Sequence, residues 1–330
     1  MNFESSSARQ PAREVWSHER LVRERAIAIG FAIENSSALS YSSALQSYVT
    51  FCHRHQLPVD PSPDTLSLYV VYMCHFISPS SVSSYLSGIC SSLESYFPHV
   101  RDARKSPLVV RTLAGSKKRK GVAVKRKLPF STDDLAMLYS EYTTSPSHDD
   151  LLFLAIMFTA FFALMRLGEL VLSDNTAKRS YRKQSMRHTV VINPSSFSFL
   201  LPFHKADRFY EGNSILITSN NSCNGVDPVA VFTSYLRSRD SLFPAHPELW
   251  LRDTGSVPTR SWFIHRLRRH FSSDYAGHSL RAGGATTLAL SGVPPERIQA
   301  IGRWSSNSFQ LYIRKHPALI QAFISNSIPR

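Results

Sequence analysis

The stretch Leu151–Met165 holds fifteen residues without a charge, and its only polar side chain is the hydroxyl of Thr159. That is too short for an ordinary membrane span, which takes about 20 apolar residues, and it suits a helix enclosed by its own domain. A helix apolar on every side obliges other elements to cover it, so the second half of the chain must build a layered core around this run. The composition permits it: 330 residues, 43% hydrophobic and 19% charged, describe a globular chain with room for two domains. The run ends on Arg166, and an arginine emerging from so apolar a stretch needs a partner. Glu169, three residues on, is within reach.

A formal net charge of +14 and a pI near 9.8 point to a polyanionic partner. Charge alone does not separate nucleic acid from an anionic membrane, but no basic amphipathic anchor, lipidation signal or secretory leader stands out, so no membrane association is expected. Cys52, Cys74, Cys90 and Cys223 show neither CxxC nor paired zinc spacing, and Cys52-His53-Arg54-His55 suits a helix better than a metal. No metal site is expected, and the free thiols suit a reducing, intracellular compartment.

Residues 1–15 are polar and are expected to form a flexible N-terminus. Residues 16–113 have the pattern of several short helices. Tyr41, Leu45, Tyr48, Val49 and Phe51 recur at helical spacing; Asp64 is placed to cap a second helix and Ser80-Ser81 to open a third. Pro58, Pro61, Pro63, Pro79 and Pro98 punctuate them. Residues 114–128 change character. Lys117, Lys118, Arg119, Lys120, Lys125, Arg126 and Lys127 fall within eleven positions with no acid, which fits a solvated linker, a nuclear-import signal or a strap along a phosphate backbone.

Residues 129–330 form the second domain. Ser131-Thr132-Asp133-Asp134 has a helix N-terminus pattern. Thr189–Ile192, Phe197–Leu201 and Ile215–Ile217 have strand composition, with Lys205 to Asn213 between the last two. Helical patterns resume at Pro228. The expected fold is therefore mainly α, an all-helical module followed by an α+β domain with a small sheet or hairpin. Lys178–Arg187 holds five basic residues and no acid, while Arg260–His270 mixes Trp262 and Phe263 with Arg266, Arg268 and Arg269. Basic and aromatic side chains at this density suit a surface that tracks phosphates.

Cleaving a phosphodiester with a protein nucleophile has definite requirements. Negative charge gathers on two non-bridging oxygens, which guanidinium groups bind in pairs. The departing oxygen needs a proton from a lysine or histidine, and a tyrosine hydroxyl can form the reversible phosphoester. Taken singly, the candidates have plain readings: Arg166 as a helix-end ion pair, Lys205 as a surface lysine, His278 and Arg281 as a helix-face pair, Trp304 and Tyr312 as packed aromatics.

Their order is another matter. Arg166 with Glu169, then Lys205 at the strand edge, His278-Ser279-Leu280-Arg281, Trp304 and finally Tyr312 resemble the pattern of the tyrosine recombinase (phage integrase) family. The resemblance spans nearly the whole chain, with the helical module in the place of that family's core-binding DNA clamp. Gly302-Arg303-Trp304-Ser305-Ser306 with Tyr312-Ile313-Arg314, and the Leu-Pro-x-x-Lys approach to Lys205, look most like enzymes of eukaryotic Crypton and DIRS mobile elements. Two departures stand out. No glycine directly precedes Arg166, and the Trp304-to-Tyr312 spacing is one residue shorter than in several familiar bacterial members.

The resemblance implies that Tyr312 attacks the scissile phosphate to give a 3′-phosphotyrosine. It further implies that Arg166, Arg281 and Trp304 hold the phosphate oxygens, Lys205 protonates the 5′ oxygen, His278 assists and Glu169 orients Arg166. It implies double-stranded DNA as partner, four protomers on two DNA sites, a nuclear location and no cofactor. Tyr210 and Tyr275 lie outside the expected order. Two other outcomes remain open at this stage: topoisomerase-like relaxation, and a DNA-binding descendant without chemistry. The tail His316–Arg330 carries Leu319, Ile320, Phe323 and Ile324, which could dock on a neighbour or on its own domain.

Overall fold

The computed structural model describes residues 14–31, 35–121, 126–142, 144–204, 207, 211–219, 225–306 and 309. The chain divides into two compact units, Met1–Val124 and Lys125–Arg330.

Among its described residues the regular structure of the first unit is helical: α1 (His18–Phe31), α2 (Asn35–Arg54), α3 (Pro63–Met73), α4 (Pro79–Leu93), α5 (Val100–Lys105) and α6 (Pro107–Lys120). Three of these helices start the same way. Ser62, Ser78 and Ser106 each accept a backbone N–H from the first turn, and each is followed by a proline at the first helical position. A serine cap satisfies an orphan donor, and proline has no N–H to leave unpaired there. The caps are therefore Ser62 and Ser78 rather than the expected Asp64 and Ser80.

Helix α2 crosses α4 closely, because a Cβ on Gly88 would fall 2.9 Å from the Ala44 Cβ. The core of the unit gathers Tyr48, Phe51 and Cys52 with Leu66, Tyr69, Val70, Leu86 and Ile89. Cys52 is thus an interior packing group, while His53, Arg54 and His55 face out. Helix α6 runs through Lys120, so the first half of the basic run forms a last helical turn instead of a linker. Cations placed there also complement the negative helix end.

The second unit is built on α8 (His148–Phe162), the apolar run seen in the sequence. Its residues from Leu152 to Phe161 are all buried. The helix α7 (Thr132–Glu141) and α8 both begin with reciprocal capping boxes, Ser131 with Asp134 and Ser147 with Asp150. Against α8 pack α9 (Pro228–Leu242) and α11 (Gly277–Leu290), with α10 (Arg260–His270) and α12 (Pro295–Ile301) completing the helical set. Strands β1 (Val191–Asn193), β2 (Ser196–Leu201) and β3 (Asn213–Thr218) form one antiparallel sheet in sequence order, with Phe197 opposite Ile217 and Phe199 opposite Ile215. The period of two turns Phe197, Phe199 and Leu201 inward together, and Phe197 stacks flat on Phe232 of α9 at 3.9 Å.

The crossing of α11 over the end of α8 sets the site. A Cβ on Gly284 would lie 2.1 Å from the Phe161 carbonyl oxygen, and one on Gly283 would lie 2.1 Å from that of Phe130. Only hydrogen fits, so the glycine pair lets one backbone touch the other. Among the described residues, no helix is long and apolar enough to cross a membrane.

A candidate phosphate-binding site

Beyond Phe162 the chain makes a tight turn in which Leu164 adopts a left-handed φ of 49°. This turn ends the helix and throws Arg166 into an extended conformation at the head of a short 3-10 turn, Leu167–Glu169. Glu169 folds back over that turn. Its Oε2 accepts the backbone N–H of Arg166 at 2.9 Å, and its Oε1 accepts Arg166 Nη1 at 2.9 Å. The carboxylate is only 8% exposed whereas Arg166 is 24% exposed, so the acid serves as a fixed base for a guanidinium that reaches outward. The pairing expected from the spacing is present.

Arg166 opens into a cleft of about 290 Å3, shared with Glu169, Lys183, His204, Arg260 and His278. His278 is exposed in the first turn of α11. The Lys183 ammonium lies 4.0 Å from the centre of the Phe203 ring on the same wall. Arg260 begins α10, held there by its backbone N–H donating to the Leu172 carbonyl at 2.9 Å. Among the described residues, one carboxylate therefore faces three permanent cations and two imidazoles, a balance that favours an anion.

Arg281 sits behind this cleft. It is 2% exposed, and its guanidinium donates from Nη1 to the Leu164 carbonyl at 2.7 Å and from Nη2 to the Gly302 carbonyl. The plane of Trp304 covers it at 3.9 Å. Trp304 itself packs with Leu164, Ala285, Ile298 and Phe309. Arg281 and Trp304, expected to hold phosphate oxygens, thus meet each other and brace the turn that presents Arg166.

Arg303, which the sequence did not single out for a role, lies in the same layer. It is 9% exposed, has a left-handed φ of 54°, and donates from Nη2 to Glu169 Oε2 at 3.3 Å. Burial pushes its guanidinium pKa down, and the Glu169 carboxylate opposes that shift.

The structure thus brings Arg166, Glu169 and His278 to one cleft and places Arg281 and Trp304 beneath it. Lys205 and Tyr312 lie outside the described residues, as do Lys125, Tyr210 and the tail 310–330. Sequence reasoning missed Lys183, His204, Arg260 and Arg303 as individual residues. Lys183 and Arg260 belong to the two basic segments noted in the sequence, so a charge signal existed. His204 and Arg303 had none of their own. Tyr275 is a packed aromatic against Phe130 and Phe271, with burial raising its pKa.

The basic residues expected to touch DNA differ among themselves. Lys117, Lys118 and Arg119 are exposed on α6, and Arg126 and Lys127 are exposed ahead of α7, with the Lys127 ammonium donating to the Ser273 carbonyl at 2.7 Å. Arg269 is exposed on α10, while Arg268 donates to the carbonyls of Ser272 and Tyr275. Arg266 departs from the expectation. It is 13% exposed and is held by Asp150 and by Asp149, 3.6 Å away, so its guanidinium serves the interior of the domain. Among the described residues no three His, Cys, Asp or Glu side chains converge as a metal site would require.

No family sequence profile matches the chain, and no curated protein matches it. Similar folds are found among solved structures. One is a XerH site-specific recombinase bound to palindromic difH substrate in a post-cleavage complex, at 13% identity and a TM-score of 0.55, covering 80% of this chain and 72% of that one. A lambda integrase dimer bound to a COC' core site matches at 13% identity and 0.53, covering 90% and 94%. The Tn1549 transposon integrase in complex with transposon right end DNA matches at 12% and 0.53, covering 86% and 99%. The mostly helical architecture with its small antiparallel sheet is the tyrosine recombinase catalytic fold.

Proposed function

We propose that this protein cuts and rejoins DNA strands through a covalent phosphotyrosine. The observation that carries the reading is the cleft in which Arg166, oriented by Glu169, meets His278 among Lys183 and Arg260, on a turn braced by Arg281. Fixed guanidinium groups stabilise charge that develops on the phosphate oxygens, and removing one such contact costs on the order of a hundredfold or more in rate. Support at the level of fold comes from recombinases and integrases whose structures were determined on DNA.

In this reading the Tyr312 hydroxyl releases its proton to water as its oxygen attacks phosphorus, the bond to the 5′ oxygen breaks, and Lys205 supplies the proton that the leaving oxygen takes. His278 assists that proton transfer at the cleft. The bond energy kept in the phosphotyrosine lets a second 5′ hydroxyl reverse the step on another strand. Exchange between two duplexes then requires several protomers, and four on two sites is the assembly proposed. Service to a mobile element of the Crypton or DIRS kind, and work in the nucleus, complete the proposal on the strength of the sequence motifs alone.

The test is a covalent adduct. Duplexes selected from a random pool by binding are nicked next to each candidate cleavage position, so that the cut fragment diffuses away and the adduct accumulates. The full chain should yield a band resistant to denaturant, and Tyr312→Phe should not. An adduct that survives Tyr312→Phe would move the nucleophile elsewhere. Tight binding without adduct on any nicked duplex would leave a DNA-binding protein without chemistry, and supercoil relaxation without exchange would leave a topoisomerase-like activity.

A further inference from the structure

Two turns meet at the end of α8. One is 163–166, with Leu164 left-handed, and the other is 301–304, with Arg303 left-handed. Neither residue is glycine, so neighbouring contacts must hold both conformations in place. The contacts are arginines. Arg281 ties the two turns through the Leu164 and Gly302 carbonyls. Arg303 ties them again, its Nη1 donating to the Ile301 carbonyl at 3.2 Å and to the Ala163 carbonyl at 3.4 Å.

The remaining arm of Arg303 goes to Glu169. That carboxylate is gripped from two sides: Arg166 takes Oε1 with its guanidinium and Oε2 with its backbone N–H, and Arg303 takes Oε2. Without Arg303, Oε2 would keep only the Arg166 backbone N–H, and the carboxylate would hold the Arg166 guanidinium less firmly. Arg303 does not line the cleft, so whatever it does for a bound phosphate it does through Glu169.

We propose that Arg303 is a positioning residue that fixes Glu169, and through it Arg166, so that the phosphate grip is complete only while the turn ahead of Tyr312 is docked against the end of α8. The proposal rests on the function given above. It adds that one carboxylate links the orientation of the phosphate-binding arginine to the docking of the turn 301–304. Lysine at this position keeps the charge but loses the fork that reaches a carbonyl and a carboxylate together.

Orthovanadate, which mimics pentacoordinate phosphate, tests this without a known DNA site. Vanadate should bind the full-length wild type, and Arg303→Gln should weaken it about tenfold, with Arg303→Lys between the two. Equal binding by all three proteins overturns the proposal. On a cleavable nicked duplex at saturation, Arg303→Gln should lower the single-turnover rate roughly thirtyfold while duplex affinity stays within about twofold. A methylphosphonate at the scissile position removes the charge that Arg166 grips, so on that substrate the deficit should shrink to about threefold or less, as for Arg166→Ala.

A deficit of the same size on both substrates marks a purely structural role and overturns the proposal. Where Arg303→Gln fails to fold, Glu169→Gln replaces it, because it keeps the shape of the carboxylate and must show the same relief on the methylphosphonate. Wild type that neither binds vanadate nor forms an adduct overturns the functional reading, and this proposal falls with it. Vanadate binding or adduct formation by wild type with no effect of Arg303 overturns this proposal alone.

Discussion

The two ends of helix α8 both collect arginines, and they use them in opposite ways. At the N-terminal end Asp149 and Asp150 meet Arg252 and Arg266, and Asp253 lies 3.7 Å from Arg252, so among the described residues three acids face two guanidiniums. Asp149 also accepts the Trp262 indole N–H and the Asp253 backbone N–H. That end is an electrically closed structural joint. At the C-terminal end, among the described residues, Glu169 serves both Arg166 and Arg303, while Arg281 donates to two backbone carbonyls and lies against an indole face. The carbonyls that a helix end leaves unpaired suit cations. Carbonyls neutralise none of the formal charge, and among the described residues Arg166 and Arg303 share one carboxylate beside the open cleft. The difference teaches that arginine content does not mark a site; the ratio of arginines to acids within one layer does.

The sharpest challenge to this contrast is Arg281→Ala. It removes a buried donor from two carbonyls and opens a space under Trp304. Adduct formation should drop on the order of a thousandfold, and urea melts should show a loss of about 2–4 kcal/mol. Arg166→Ala should cost a comparable factor in rate but less than about 1 kcal/mol in stability, since Arg303 still faces Glu169. Equal stability losses in the two variants would refute the distinction between a bracing and a presenting arginine.

Next in size, Gly284→Ala drives a methyl into the Phe161 carbonyl, and thermal melts should register a loss of about 3 kcal/mol from overpacking. Arg266→Met probes the closed end. It should cost about 3 kcal/mol by stranding two carboxylates, yet leave the salt dependence of DNA binding as it was. Arg260→Ala should do the reverse, with stability held and the salt slope reduced by about one. A salt slope that falls equally in both would erase the contrast between the two ends.

The smallest effect is acid sensitivity. Burial pushes the Asp150 carboxyl up, but the Ser147 hydroxyl and the Arg266 guanidinium outweigh it, so the group titrates below the ordinary carboxylate range. Asp240 behaves alike, with Arg187 and Arg239 overcoming its burial. A carboxyl depressed in the folded state adds stability that is complete above its unfolded pKa of about 4 and fades as pH falls through the lower folded value. Melting temperature should therefore drop more steeply below about pH 4 in wild type than in Asp150→Asn. Parallel curves would deny Asp150 its part in the closed joint.

Much of this architecture is local and could be read in advance. Helix α8 announces itself by fifteen uncharged residues, the capping boxes by serine and aspartate three apart, and the inner face of β2 by Phe197, Phe199 and Leu201. The Arg166–Glu169 pair is local too. The missed residues share one property: their partners are remote in the chain. Nothing near Arg266 reveals Asp150, and nothing near Arg303 reveals Glu169. A proline-capped helix start was misplaced for a smaller reason, because serine and aspartate compete for the same role within three positions.

The sequence by itself determined that a buried helix must be enclosed, that basic residues are in large excess, and that arginine, lysine, histidine and tyrosine recur in a telling order. Those properties depend on composition and on spacing within a few turns. The tertiary structure alone decided which arginine lines the open cleft and which becomes part of the core. Arg266 meets Asp150 across 116 residues and Arg281 meets the Leu164 carbonyl across 117, while Arg303 reaches Glu169 across 134. Contacts at such separations form only when α10, α11 and the turn after α12 close on the two ends of α8. A guanidinium has the same chemistry in the core and in the cleft; the acids and carbonyls that the fold brings to it decide its role.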